Sequence, residues 1–197
     1  MKQVQILIDS ACDMQQPEAE RLGVTLLPLR TNFDGEVFLD GVDLSHEAFF
    51  EKLTQSKTLP TTSQVPPYDY EKAYRQAQKA GGEILVITIS SRLSGTYQSA
   101  VIAAQQTGAD VTIIDSENVT AGERVLVEYA LRLVDEGQGA AQVAADFAQR
   151  TSRRRWSRQK AGSAFSGASI RWNIYTAAAG SPKQARSPER FWAFARC

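Results

Sequence analysis

Short apolar runs alternate with amphipathic stretches from the start of the chain to about residue 150. Val4-Gln5-Ile6-Leu7-Ile8, Val24 to Leu29, Ile84 to Ile89 and Asp110 to Ile114 have the length of strands rather than helices. Five of the six residues from Ile84 to Ile89 are β-branched and none is charged. That strand therefore reads as buried on both faces, as a parallel sheet requires. Helical spacing fills the gaps, over about Gln16 to Leu22, Ser45 to Thr54, Tyr68 to Ala80, Tyr97 to Thr107, Ala121 to Glu136 and Ala140 to Arg150. Phe49, Phe50 and Leu53 are expected to form the apolar stripe of the second helix, and Val125, Leu126, Tyr129, Leu131 and Leu133 that of the fifth. Asn32-Phe33-Asp34-Gly35-Glu36 is a hairpin-type turn before a short strand Val37-Phe38-Leu39. Leu59 to Pro67 reads as a loop, because its three prolines disfavour regular structure. Strands alternating with helices give an α/β fold with a mostly parallel, doubly wound sheet.

Composition narrows the functional classes. The 197 residues are 43% hydrophobic, ordinary for a globular protein, and the net charge is zero. Of the 22 Lys/Arg and 22 Asp/Glu, 12 and 21 fall within residues 1–150, so this body is acidic and residues 151–197 are basic. An acidic body argues against nucleic acid as partner, since phosphate binding needs a basic face. The first apolar run is too short for a signal-peptide core or a membrane span, so a cytoplasmic protein is expected. Cys12 and Cys197 make no disulfide framework, and the single histidine, His46, cannot build a His-based metal site.

Three strands end in short polar turns, Asp9-Ser10, Ser90-Ser91 and Asp115-Ser116. Together they suggest a shared crevice at the carboxyl ends of the strands, where open α/β sheets bind ligands; capping of helix N-termini is the competing account of each turn. Ser90, Ser91, Ser94, Gly95 and Thr96 gather hydroxyls and backbone N–H groups before a helix, a place to hold an anion. No Walker A sequence, GxGxxG or GxSxG elbow is present; Arg92 stands two before Ser94, where the elbow needs glycine. A Ser–His–Asp hydrolase would depend on His46, which lies far from any strand end. Asp9, Asp13 and Asp115 could group around a cation, but oxygens so spaced are more often caps, so no metal is expected. Ser94 and Thr62 can each donate one hydrogen bond to a carboxylate without adding a positive charge.

Asp9-Ser10-Ala11-Cys12-Asp13, Asp40-Gly41, Thr62-Ser63-Gln64, Ser90-Ser91-Arg92-Leu93-Ser94-Gly95-Thr96-Tyr97 and Asp115-Ser116 occur in an order that resembles the DegV family, the fatty-acid-binding proteins of bacteria. The resemblance implies a two-domain, non-enzymatic binder that buries a long-chain fatty acid between its domains and uses no cofactor. It implies that Thr62 and Ser94 hold the carboxylate, supported by Ser63, Gly95 and Thr96. Asp9, Ser10, Ser91, Asp115 and Ser116 would line the neighbouring polar crevice. Members resembling the FakB proteins present the acid to a separate fatty acid kinase subunit for phosphorylation and entry into phospholipid synthesis, with transient membrane contact. The chain departs from the usual pattern at Val65, where proline is common, and at Glu123-Arg124, where a glycine-rich helix start is common. Two other readings compete. One is an α/β phosphotransferase-like enzyme using strand-end Asp and Ser residues; the other is a small interaction module with a basic tail.

Residues 151–197 change character abruptly. They contain no Leu, Val or Asp, yet hold all three tryptophans, Trp156, Trp172 and Trp192. A DegV-like segment of the form L-E-Y-L-x-x-G-G-R-I-S-K is expected here and is missing. Shifting the frame, so that each codon takes the third base of one residue and the first two of the next, forces Glu from Trp172-Asn173, Leu from Phe191-Trp192 and Gly from Trp192-Ala193. Allowed choices around them spell L-E-Y-L and then G-G-R-I-S-K. The expectation is thus a DegV N-terminal domain over 1–150, a frame change between about Ala144 and Ser169, and a poorly structured out-of-frame tail over 151–197.

Overall fold

The computed structural model describes residues 4–149 and 174–177. Val4–Asp9 (β1), Thr25–Leu27 (β2), Glu83–Thr88 and Val111–Asp115 form parallel neighbours in one sheet. A separate antiparallel sheet contains Arg30–Phe33 (β3), Glu36–Leu39 (β4) and Thr61–Ser63 (β5) in the order β4-β3-β5. Numbering Glu83–Thr88 as β6, Val111–Asp115 as β7 and Ile174–Ala177 as β8, the large sheet runs β2-β1-β6-β7-β8, with β8 antiparallel to β7. The helices are Gln16–Leu22 (α1), His46–Gln55 (α2), Pro67–Ala80 (α3), Thr96–Thr107 (α4), Ala121–Asp135 (α5) and residues 140–149 (α6).

Period-two alternation in the strands builds the two faces of the large sheet. Ile6, Ile8, Leu85 and Ile87 point to one core, shared with Val127, Ala130 and Leu133 of α5 and Val143 and Phe147 of α6. Leu7, Ile84 and Val86 point to the other, shared with Tyr70 and Tyr74 of α3 and Ala100 and Ala103 of α4. The doubly wound architecture expected from the sequence is the one observed.

Four local expectations are corrected. The run Val24 to Leu29 is not one strand: β2 ends at Leu27, and after Pro28 the chain enters the second sheet at Arg30. The stretch read as a prolyl loop holds β5, because the prolines Pro60 and Pro66 flank Thr61–Ser63 and leave its N–H groups free to pair with β3. In α5 the fully buried stripe is Glu123, Val127, Ala130 and Leu133, while Val125 is 62% exposed. In α2 no residue is fully buried, and Phe50 stands 63% exposed beside Phe49, which packs edge-on against Phe33. The hairpin turn is as expected. Asp34 and Gly35 both have positive φ, the I′ geometry that matches strand twist. The basic, out-of-frame character assigned to 151–197 lies outside the described residues, apart from β8.

Candidate functional site

The loop after β6 and the strand β5 meet above the carboxyl end of the large sheet. Leu93 N and Ser94 N both donate to Ser90 O, which curls residues 90–94 into a tight turn. The Ser94 hydroxyl accepts from Thr96 N at 3.2 Å and lies 2.9 Å from Thr96 Oγ1. Thr96 is fully buried, and its hydroxyl also accepts from Val65 N at 3.3 Å. One residue earlier, Gln64 Nε2 donates to Ser99 Oγ at 2.8 Å. These two bonds tie the segment carrying Thr62 and Ser63 to the turn carrying Ser94.

Gly95 makes that approach possible. A Cβ added there would overlap Gln64 Oε1 and come within 2.8 Å of Gln64 Cδ. Its φ of −75° is ordinary, so close approach, not backbone conformation, is what calls for glycine. Thr62 pairs with Thr31 across the β3–β5 ladder and is exposed, whereas Ser94 is half-buried. The five residues expected to hold and support a carboxylate thus lie on two connected segments that present hydroxyls without a neighbouring base. Leu59, Tyr68 and Leu93, flanking these segments in sequence, are exposed at 84%, 72% and 65%.

The strand-end polar residues have a different occupation. Asp9 Oδ1 accepts from Ala11 N at 3.0 Å and Oδ2 from Ile89 N at 2.7 Å. Asp115 Oδ1 accepts from Ser91 N at 3.1 Å and from Glu117 N at 3.0 Å. Ser10 Oγ accepts from Leu29 N, and Ser116 Oγ accepts from Asn118 N while donating to Asn118 O. Asp9, Ser10, Asp115 and Ser116 therefore each bind loop backbone, with Asp9 in the capping role weighed from the sequence, and all four are buried. Ser91 contributes through its N–H while its residue stays exposed. These residues shape the loops around the exposed Thr62 and Ser63 and the half-buried Ser94.

Electrostatics at the strand ends are unusual. Burial pushes the Asp9 carboxyl up to about 7 against its two backbone hydrogen bonds, which favour the ionised form. Asp40 is also raised, chiefly by burial, and is held down in part by a hydrogen bond from the Ser10 side chain. Cys12 is pushed up to about 12 by burial and by Glu123. Glu123 was visible in the sequence only as a departure from the usual family pattern. It is fully buried, neither carboxylate oxygen has a hydrogen-bond partner, and its carboxyl is pushed up to about 10 by burial and then by Asp9, Asp13 and Asp115. The signal that would have found it is register: with Val127 and Ala130 as the core face, position 123 falls inside. Among the described residues no group of His, Cys, Asp and Glu converges with metal-binding geometry, and no helix is long and apolar enough to cross a membrane.

The family model described as "Uncharacterised protein, DegV family" matches residues 3–156. A DegV domain-containing protein of Deinococcus radiodurans is 39% identical over 140 residues, covering 71% of this chain and 50% of the relative. Among solved structures, a fatty-acid-binding DegV family protein from Thermus thermophilus aligns with a TM-score of 0.67 at 35% identity, over 74% of this chain and 52% of its own. The Fatty Acid Kinase B3 protein of Streptococcus pneumoniae, loaded with linoleic acid, aligns with a TM-score of 0.62 at 26% identity, over 73% of this chain and 52% of its own. The chain spans about half the length of the curated relatives it matches.

Proposed function

The chain belongs to the DegV family, and we propose that residues 4–149 are the carboxylate-holding half of a fatty-acid-binding protein. In this reading the Thr62 and Ser94 hydroxyls donate to the fatty-acid carboxylate. Ser63 lies beside them, Thr96 orients Ser94, and Gly95 lets the two segments close on one another. The observation that carries the reading is the pinning of 62–65 against 94–99 by the Gln64–Ser99 and Val65–Thr96 bonds, which places two hydroxyl-rich segments side by side. Hydroxyl donors hold a carboxylate firmly but release it without separating an ion pair. The site performs no reaction itself; it works in the cytoplasm, takes up the acid from a membrane surface and presents it to a separate kinase subunit. Support for that role comes from the linoleic-acid-loaded kinase B protein among the fold relatives.

The other half of such a binder would cover the acyl chain. We propose that its code continues in another reading frame after a change between about Ala144 and Ser169, a window that contains the end of the family match at residue 156. Resequencing the DNA across this window tests the point: one unbroken frame with no DegV-like segment in the alternative frame sinks it. Native mass spectrometry of the frame-restored protein tests the ligand. A co-purifying mass equal to a long-chain fatty acid, lost in Thr62→Val with Ser94→Ala, is the expected result. Absence of any bound acid after incubation with oleate overturns the binding reading.

A further inference from the structure

Glu123 sits where a carboxylate has no stabilising contact. It lies in the first turn of α5, which packs against β1 and the turn that follows it, and it is within electrostatic reach of Asp9, Cys12, Asp13 and Asp115 and of the Tyr70 hydroxyl of α3. No basic group is among them, because the adjacent Arg124 turns outward to Glu18 and Glu128. Both Glu123 oxygens and Asp115 Oδ2 are buried acceptors without a donor. A proton on Glu123 removes the charge that would otherwise be buried without a partner. The helix dipole favours the ionised form at this position, but its contribution is small beside burial among three other carboxyls.

The start of α5 is held under strain. Thr120, the residue preceding the helix, has φ 52° and ψ −129°, a conformation seldom adopted by a β-branched side chain, and it makes no side-chain cap. Such a conformation persists only where the surroundings enforce it. Thr120 N donates to Ala11 O at 2.7 Å, and the Asn118 side chain fits where a Cβ on Gly122 would clash. The same corner reaches the Ser90–Thr96 turn, because Asp115 Oδ1 receives Ser91 N.

We propose that Glu123, buried without a partner at the strained start of α5, is a proton-bearing positioning residue, held as a neutral carboxylic acid, and that its ionisation frees the start of α5 from the sheet. Cooperation of a strained helix start with a single buried proton makes this corner sensitive to alkali, and Asp115 passes the change to the turn bearing Ser94.

The test needs no ligand and is independent of the fatty-acid reading. Infrared spectra of the full 197-residue chain at about pH 8.5, where Asp9 is ionised, should show the carbonyl stretch of one protonated carboxylic acid, absent from Glu123→Gln. Urea unfolding between about pH 7 and pH 9 should show the folded-to-unfolded ratio of wild type falling by up to about tenfold per pH unit relative to E123Q, which keeps a donor but cannot ionise. No protonated band in the wild type, or parallel pH profiles for the two proteins, overturns the proposal. Should E123Q fail to fold, the wild-type spectrum decides alone: a band persisting at this pH supports a neutral Glu123, and no band overturns it.

Discussion

Replacing Gly95 by alanine isolates the contact on which the two hydroxyl segments depend. At φ −75° an alanine backbone is unstrained, and the loss of unfolded-chain freedom alone would stabilise the protein by about 0.4–1 kcal/mol. The new Cβ, however, occupies the place of Gln64 Oε1. The glutamine end is flexible and will swing away, which breaks its 2.8 Å bond to Ser99, a residue with no exposure. Losing that bond and leaving a buried hydroxyl without its partner costs about 1–2 kcal/mol. The net expectation is a loss of about 1 kcal/mol, a fall in melting temperature of about 2–4 °C for a domain of this size. A double-mutant cycle with Gln64→Ala gives the decisive readout. Once Gln64 is truncated, Gly95→Ala meets no obstruction and should be neutral or stabilising, so the coupling energy is about 1.5 kcal/mol. Thermal and urea unfolding of the four proteins measures it. Equal destabilisation by Gly95→Ala in both backgrounds would refute the packing argument.

Further perturbations address the other parts of the molecule. Thr62→Val and Ser94→Ala should each lower fatty-acid affinity about 10-fold or more, measured by titration of the frame-restored protein, as expected for a lost hydrogen bond to a charged group; because Thr62 is exposed, its substitution should leave the melting temperature nearly unchanged. Asp9→Asn leaves one of Ala11 N and Ile89 N without its acceptor, at about 1–3 kcal/mol near pH 5. Because the folded-state carboxyl is raised to about 7, wild type itself loses stability as pH rises from 3.8 through 7, so the gap between the two proteins should narrow over that range; a constant gap in urea melts would count against it. Arg124→Ala removes a two-pronged pair with Glu18, at 3.0 and 2.5 Å, and should cost about 0.5–1 kcal/mol at neutral pH. Glu18 is held below its ordinary value of 4.5 chiefly by the hydrogen bond from Arg124, so this stabilisation is present above 4.5 and should disappear as acid protonates Glu18, bringing the two unfolding curves together.

The large sheet was legible because its strands are short, unbroken apolar runs whose alternation survives in three dimensions: Ile6 and Ile8 face one core and Leu7 the other. That the segments carrying Thr62 and Ser94 lie side by side was legible through the family resemblance, and the turn at 90–95 through the clustering of hydroxyls before a helix. What the chain hid was tertiary. Nothing local distinguishes Thr61–Ser63 as a strand, since its partner Arg30–Phe33 lies some thirty residues away and supplies the pairing. Val125 and Val127 are equivalent by composition, and only the angle at which α5 meets the sheet puts the second inside. Glu123 escaped because a charged residue is read by default as solvated, and the proximity that makes it unusual joins segments more than a hundred residues apart in sequence.

The strand β5 has a property that bears on how the site drifts over evolutionary time. Its three residues, Thr61, Thr62 and Ser63, all carry hydroxyls, and it lies at the edge of its sheet, paired on one side only. A slip of one residue would normally exchange the chemistry shown on each face. Here another hydroxyl takes the vacated place, so the donor survives an error in alignment that would erase a less repetitive site. What a slip cannot preserve is depth, because Val65 is fully buried and its N–H is fastened to Thr96. Insertions and deletions should therefore be tolerated before Thr61 and rejected between Ser63 and Val65, an asymmetry to be sought in deletion libraries scored for folding.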